Sequence, residues 1–430
     1  TIARRYPSYH QAVKQVAETG PLPRALGVAR RALSGLSVVI DARKVTGPMT
    51  GTQLQALELI ASLARTGDLR LTVVGPTSEP GEAGRALARM EGVELVTRAE
   101  IERRRRADLV HRPYQVDTDS DLAFLGGLAE RLVVTNQDLI AYHNPAYFPT
   151  FAEWASYRRV TRAALAVADR VVFFSAHGRA EALEEELLDP GRASVVHTGV
   201  DHAFVRGAPA PSPPTHGERL APGEEAILCL GTDFRHKNRL FALRVAQALK
   251  RRHGWAGTLV FAGPHVAHGS SLADETALLS RDPSLADAVL DLRALSEAEK
   301  AWLFERAALV LYPSVYEGFG LVPFEAAERD VPCMWARGTS LSEVLPDSAA
   351  WIVPWDAEQS AARALELLRD PSARRQNLDA IRAAAKPLTW DAAAASLSEL
   401  YRQTCDEPAA PAGALERRRG MLLPFSDDAL

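Results

Sequence analysis

Cysteine is scarce, with only Cys229, Cys333 and Cys405 in 430 residues, all far apart in sequence. That excludes a cysteine-based metal site, which needs closely spaced ligands. Cys229 and Cys333 stand inside apolar strand-like runs, where a thiol reads as a small core side chain. Long apolar runs are missing too. None approaches the ~18 residues needed to cross a bilayer, and no signal-peptide pattern opens the chain. Nor is there an excess of positive charge. Fifty Lys and Arg stand against 54 Asp and Glu, for a formal net charge of -4, so no general affinity for nucleic acid or anionic membrane is implied. A cytoplasmic protein is the expectation, with peripheral contact at the inner face of a membrane left open. A chain that opens on Thr1 reads as a fragment or a processed product.

What is present is an ordinary globular composition, 47% hydrophobic and 24% charged, over a length that suggests two or three domains. Residues 1–35 are a basic extension, in which Arg4, Arg5, Lys14, Arg24, Arg30 and Arg31 face the single acid Glu18. Gly20-Pro21-Leu22-Pro23 splits it into two helical pieces, read as a solvated face. From Leu36 onward short apolar runs alternate with helical spacing. Strands are expected at Leu36–Asp41, Leu69–Val74, Val93–Val96, Asp108–His111, Leu132–Thr135, Arg170–Phe174 and Ser194–His197. Helices are expected at Thr52–Arg65, Ala146–Ala168 and Ala176–Leu187, with the arginine run Arg103–Arg106 inside another. Residues 208–223 are proline-rich and read as a linker without strand or helix. The alternation then resumes, with strands at Ala226–Leu230, Thr258–Ala262, Ala288–Leu292, Ala308–Tyr312, Val331–Trp335 and Ala349–Val353. The resulting division is a first α/β unit at 36–207, a second at 224–387, a last helix at 388–405 crossing back to the first unit, and a tail at 406–430. Strands alternating with helices imply parallel sheets covered on both faces, with a cleft between the two units.

The most informative stretch is Leu309 to Glu325, LVLYPSVYEGFGLVPFE. It reads as strand, glycine loop, helix, an arrangement that aims backbone N–H groups at phosphate. Two carboxylates frame it, Glu317 and Glu325. Acids beside a phosphate repel it, so they need another partner, and hydroxyl groups are the obvious one. Phosphate next to several hydroxyls describes a nucleotide-diphosphate sugar. A second glycine loop, Gly47 to Gly51, ends the first strand of the first unit. Arg235 and Lys237 follow the first strand of the second, where cations could neutralise a leaving diphosphate.

Together these stretches resemble the retaining glycosyltransferases of family 4 (group 1), which have the two-domain GT-B fold of two Rossmann-like sheets. The family pattern YPSxYEGFGLxPxEA is matched by Tyr312-Pro313-Ser314, Tyr316 to Leu321, Pro323 and Glu325-Ala326. Ser340-Leu341-Ser342-Glu343-Val344, Leu230-Gly231-Thr232 with Lys237-Asn238, Phe261 to Pro264 and His197 to Asp201 match further family stretches. The resemblance implies a metal-independent, mannosyltransferase-like hexosyltransferase without a cofactor. It would move a sugar from a UDP- or GDP-type donor to a glycan or lipid-linked acceptor, in cell-surface polysaccharide or glycolipid synthesis. Glu317 would hold the donor sugar and Glu325 the ribose. Gly318, Phe319, Gly320 and Leu321 would offer N–H groups, as would Gly231. Arg235 and Lys237 would stabilise the departing phosphate, and Gly47 and Gly51 would close from the other side. One departure stands out: the family's His-Asp-Leu run is here Gln137-Asp138-Leu139, and a glutamine cannot titrate. Gln137, Asp138, His111, Tyr114 and His143 are candidate acceptor or sugar contacts. Two alternatives remain, a non-catalytic nucleotide-sugar-binding or scaffold protein and a GT-B epimerase.

Overall fold

The structure, a computed structural model, describes residues 21–47, 49–77, 81–202, 210–220 and 223–407. The expectations for Arg4, Arg5, Lys14 and Glu18, and for the tail from residue 408, lie outside these.

Seven parallel strands form the first sheet: β1 (Leu36–Asp41), β2 (Leu69–Val74), β3 (Glu94–Val96), β4 (Ala107–Arg112), β5 (Ala129–Asn136), β6 (Arg170–Phe173) and β7 (Ala193–Val195). Their order is β3-β2-β1-β4-β5-β6-β7. Five more parallel strands form the second: β8 (Ala226–Leu230), β9 (Thr258–Ala262), β10 (Val289–Asp291), β11 (Ala307–Tyr312) and β12 (Cys333–Trp335), in the order β10-β9-β8-β11-β12. The central strands are apolar on both faces because helices cover both sides. All of β8 is buried, and so is most of β1.

Each sheet changes winding direction once, between β1 and β4 in the first and between β8 and β11 in the second. A crevice opens at the carboxyl ends of the strands at such a switch point. The loops that follow these four strands are therefore the ones placed to hold a ligand. They carry residues 42–50, 113–118, 231–238 and 313–321.

The last helix, Trp390–Asp406, leaves the second half and buries Trp390, Ala394, Leu397 and Tyr401 in the core of the first, against Leu57, Ile60 and Leu63. Each fully buried large side chain of this kind stabilises by roughly 1.5–3 kcal/mol, so the crossing is anchored. At its start, Trp390 N donates to Asp201 Oδ1 at 2.8 Å.

Several expectations need correction. Arg103–Arg106 is not helical: the helix Arg98–Ile101 stops, and the run turns into β4. Arg104 pairs with Glu94 at 2.8 Å, and Arg106 donates to the carbonyls of Gly126 and Ala129. Ala349–Val353 is not a strand. It makes one ladder-like bond to the edge strand, Ile352 N to Trp335 O at 3.2 Å, before Pro354, and proline cannot extend a ladder. The expected Ala146–Ala168 helix begins only at Phe151, after the 3₁₀ turn Pro145–Tyr147. Residues 210–220 are not featureless: they hold the turn Gly217–Arg219 and bury Leu220 in the second core. The helix Pro21–Ser34 is docked rather than free, with Arg30 on buried Asp108 and Arg31 2.9 Å from Asp406.

Candidate active site

The glycine loop after β11 is held from beneath. Ser340 donates its hydroxyl to the carbonyls of Glu317 (2.8 Å) and Phe319 (3.1 Å). Gly320 has φ 93° and lies against Leu341, which would sit 2.4 Å from any added Cβ. Left-handed backbone without side-chain space calls for glycine. Gly318 faces the other way. A Cβ there would lie 2.4 Å from the carbonyl oxygen of Gln137 in the first half, so the two halves touch backbone to backbone at this point.

That contact floors a cavity of about 620 Å³ between the halves, bounded by the loops after β5, β8 and β11 and by the start of the helix Gly51–Thr66. Lys237 and Glu317 meet in it, with Nζ 2.7 Å from Oε1. Burial pushes the Glu317 carboxyl up, but the Lys237 ammonium and hydrogen bonds from Ser314 and Tyr312 outweigh it, so the group ionises below the usual carboxylate range. Lys300 lies 3.5 Å from Glu325 and 3.1 Å from Glu297. Burial works against both charges of the Lys300–Glu325 pair, and their mutual attraction prevails. The Glu325 pKa is lowered and that of Lys300 raised. Gly231, Phe319 and Leu321 also line this wall.

The first-half wall is different in kind. Gln137 donates to Gln55 Oε1 at 3.3 Å and accepts from the Thr52 hydroxyl at 3.2 Å. With Gly51 these residues line the cavity. A side pocket of about 290 Å³ extends from it past Thr50, Gln53, Tyr114 and Gln115. Its cation, Lys44, is paired with Asp117. Behind it, fully buried Arg112 is clamped between Asp41 and Asp121, with Arg43 2.7 Å from Asp121. This network fixes the loop after β1, and Tyr114 Oη accepts from Lys44 N at 3.1 Å. Asp138 is the first-half carboxyl in the cavity. Its pKa is pushed up to about 6 by burial and by the nearby Glu317.

Side chains also bridge the halves around the rim. Tyr147 Oη hydrogen-bonds His236 Nδ1 at 2.6 Å, and its ring packs on Phe234. Burial, then Lys237, depresses the His236 pKa to about 4, so the imidazole is neutral. Tyr316 donates to Glu181. Glu343 accepts from the N–H groups of Ala176 (2.8 Å) and His177 (3.2 Å) at a helix start, and meets His197 Nε2 at 2.7 Å. A larger open groove of about 790 Å³ lies beside the helix Pro371–Ala385; of its two carboxylates, Glu343 is taken up in this bridge and Asp347 lies 3.8 Å from Arg337.

Residues 141–397, more than half of the chain, match the family described as "Family 4 Glycosyltransferase in conflict systems". The chain belongs to this family. D-inositol 3-phosphate glycosyltransferase of Kineococcus radiotolerans is 34% identical over 267 residues, 57% of this chain and 60% of that protein. The O-antigen chain mannosyltransferase RfbU of Salmonella typhimurium is 28% identical over 158 residues, 36% of this chain and 42% of that protein. The chain thus spans less than two thirds of the length of these relatives. Among solved structures, sucrose-phosphate synthase from Thermosynechococcus elongatus superposes with a TM-score of 0.61 at 18% identity, over 86% of this chain and 98% of that one. Anabaena Alr3699/HepE in complex with UDP gives 0.61 at 15%, over 86% and 100%. The fold is GT-B, with two parallel α/β sheets.

In this family 4 chain the cleft gathers Glu317, Lys237, Glu325, Gly231, Gly318, Phe319, Gly320, Leu321, Gly51, Gln137 and Asp138, and Tyr114 lines the side pocket. Four expected residues lie elsewhere. Arg235 turns outward onto Asp274 at 2.7 Å, because the 3₁₀ turn Arg235–Lys237 sends alternate side chains to different sides. The Gly47 carbonyl accepts from Glu82 and Ala83 at the start of the next helix. His111 is buried inside the first half between Tyr401 (2.6 Å) and Thr135 (2.8 Å), and burial depresses its pKa to about 3. His143 sits on the outer surface, 3.3 Å from Glu185. Sequence reasoning missed Lys300, His236 and Tyr147. No local motif marks Lys300 or Tyr147, whereas His236, between Arg235 and Lys237, stood in the loop already singled out.

Proposed function

We propose that this chain is a retaining glycosyltransferase that moves a hexose from a nucleotide-diphosphate sugar to a hydroxyl of a glycan or lipid-linked acceptor. The observation that carries the reading is the Lys237–Glu317 pair, 2.7 Å apart at the floor of a cleft closed by both halves. Lys237 stabilises charge on the β-phosphate as it leaves, which is the point of a preorganised cation in a site shielded from water. Glu317, kept ionised, accepts hydrogen bonds from donor-sugar hydroxyls. Glu325 does the same for the ribose. The amides and hydroxyls of the first wall suit an acceptor that is itself rich in hydroxyls, since each both donates and accepts. Because Lys237 and backbone N–H groups meet the diphosphate, the reading calls for no metal. Relatives named as mannosyl- and inositol-phosphate glycosyltransferases, and neighbours solved with UDP and with UDP-glucose, support the donor class.

The experiment is turnover of a panel of UDP-, GDP- and dTDP-sugars, with the anomeric configuration of the product read by NMR. Glu317→Ala and Lys237→Ala should each lower the rate with the accepted donor by about 10²–10³-fold. Variants as fast as the wild type would remove both residues from the chemistry. A second reading is favoured by Gln137, whose amide is tied to Gln55 and Thr52: a protein that binds the nucleotide sugar without turning it over. Binding without transfer or hydrolysis across the panel would select it.

A further inference from the structure

Lys300 is a cation of the cleft wall for which the roles above have no use. It stands in the first turn of the helix Glu297–Phe304, whose start is fixed by a reciprocal Ser296–Glu299 cap. Its side chain is only 20% exposed and that of Glu325 12%. The two contacts of its ammonium are unequal. Glu297 is within hydrogen-bond reach at 3.1 Å, whereas Glu325 is at 3.5 Å, attracted but not tightly bonded. An ammonium has three donors and a carboxylate about four acceptor sites. Both groups thus face the cleft with hydrogen-bonding capacity left over, side by side, at the position assigned to the ribose.

A ribose presents two neighbouring hydroxyls, each a donor and an acceptor. A lone carboxylate can use only their hydrogens. A carboxylate with an ammonium beside it can use hydrogens and lone pairs together. We propose that Lys300 and Glu325 form one ribose-reading unit, in which Glu325 accepts from the diol and Lys300 donates to it. Lys300 is then a specificity-determining residue that selects ribonucleotide over deoxyribonucleotide donors. This inference rests on the donor reading above.

The test is calorimetric binding of UDP, GDP and dTDP, and of the 2′-deoxy and 3′-deoxy counterparts of UDP and GDP, to the full chain. The wild type should bind whichever ribonucleotide it accepts at least about tenfold more tightly than one of the deoxy forms. Lys300→Met should cost the ribonucleotide about tenfold, the scale of a hydrogen bond to a charged group, and change the deoxy form less than about twofold. Glu297→Gln, which leaves Lys300 and Glu325 in place, should alter neither by more than about twofold. Equal losses for both nucleotides in Lys300→Met, or none, would overturn the proposal, because a merely structural or long-range charge effect does not distinguish a ribose from a deoxyribose. Should Lys300→Met not fold, the double variant Glu297→Gln with Lys300→Met, which leaves one carboxylate rather than two beside the lost ammonium, reads the same contrast. A wild type that binds none of UDP, GDP and dTDP defeats the donor reading itself, a different result from equal losses, and one that binds dTDP best overturns the proposal.

Discussion

The two walls of the cleft solve the same problem with opposite chemistry. The second-half wall carries its charges in the site: Lys237 with Glu317, and Lys300 with Glu325. The first-half wall buries its charges behind the site, in the Asp41–Arg112–Asp121–Arg43 network, pairs Lys44 with Asp117 in the side pocket, and shows the main cleft amides, hydroxyls and Asp138, whose pKa is raised to about 6. Charge facing a cleft suits a ligand that is itself charged and always present in the reaction. Amides and hydroxyls suit a neutral, hydroxyl-rich partner. Under the proposed function, the contrast would put the nucleotide on the second-half wall and the acceptor on the first.

The sharpest way to break the contrast is to force the walls apart. In Gly318→Ala the new methyl group meets the Gln137 carbonyl at 2.4 Å. Relieving that contact to an ordinary van der Waals distance takes a shift of about 1 Å, and a misplacement of about 1 Å at a reacting centre costs about 10²-fold in rate, so kcat/KM should fall by about that much while the fold survives. A variant at wild-type rate would mean that the backbone contact is not part of the working state.

Asp138 gives a pH signature. Its pKa is raised from 3.8 to about 6, so the folded state holds a proton that the unfolded chain releases. The cost of ionising it in the folded state is therefore absent below about pH 4, grows as pH rises through 6, and is complete above that. Asp138→Asn keeps the oxygen that accepts from Ile140 N at 3.0 Å and removes the cost. Thermal melts should show the variant roughly 4 °C more stable at pH 8 and no different near pH 4. A constant offset at all pH values would contradict this.

Smaller effects follow at the rim. Tyr147→Phe removes the hydroxyl that meets His236 across the halves. A net hydrogen bond of about 1 kcal/mol should appear as a roughly fivefold lower kcat/KM, with little change in melting temperature. The smallest effect is expected for Arg235→Ala, within about twofold in activity, because this exposed arginine is paired with Asp274 away from the cleft and exposed pairs are worth little. A loss comparable to that of Lys237→Ala would show that Arg235 swings in when donor binds.

The contrast between the walls also explains what could be read from the sequence. The second wall was legible because its ligand-facing groups lie close together in the chain. Glu317, Gly318, Gly320 and Glu325 occupy one strand–loop–helix unit, and Lys237 follows the neighbouring strand. Alternating apolar runs likewise revealed the strands, since a buried parallel strand is apolar on both faces. The first wall is assembled from segments far apart in the chain, after β1, β4 and β5, so no single motif marks its residues. His111 was assigned to the cleft edge although β4 carries its ring into the core. Lys300 was hidden in an amphipathic helix, where a lysine ordinarily signals solvent. Only the packing of that helix against Glu325 turns it inward.

Calorimetric titration of UDP and GDP into the wild type, Glu325→Ala and Gln137→Ala asks whether the second wall holds the nucleotide. One nucleotide should bind the wild type, lose about tenfold or more in affinity for Glu325→Ala, and bind Gln137→Ala within about twofold of the wild type. Equal weakening by both substitutions, or weakening by Gln137→Ala alone, would contradict it.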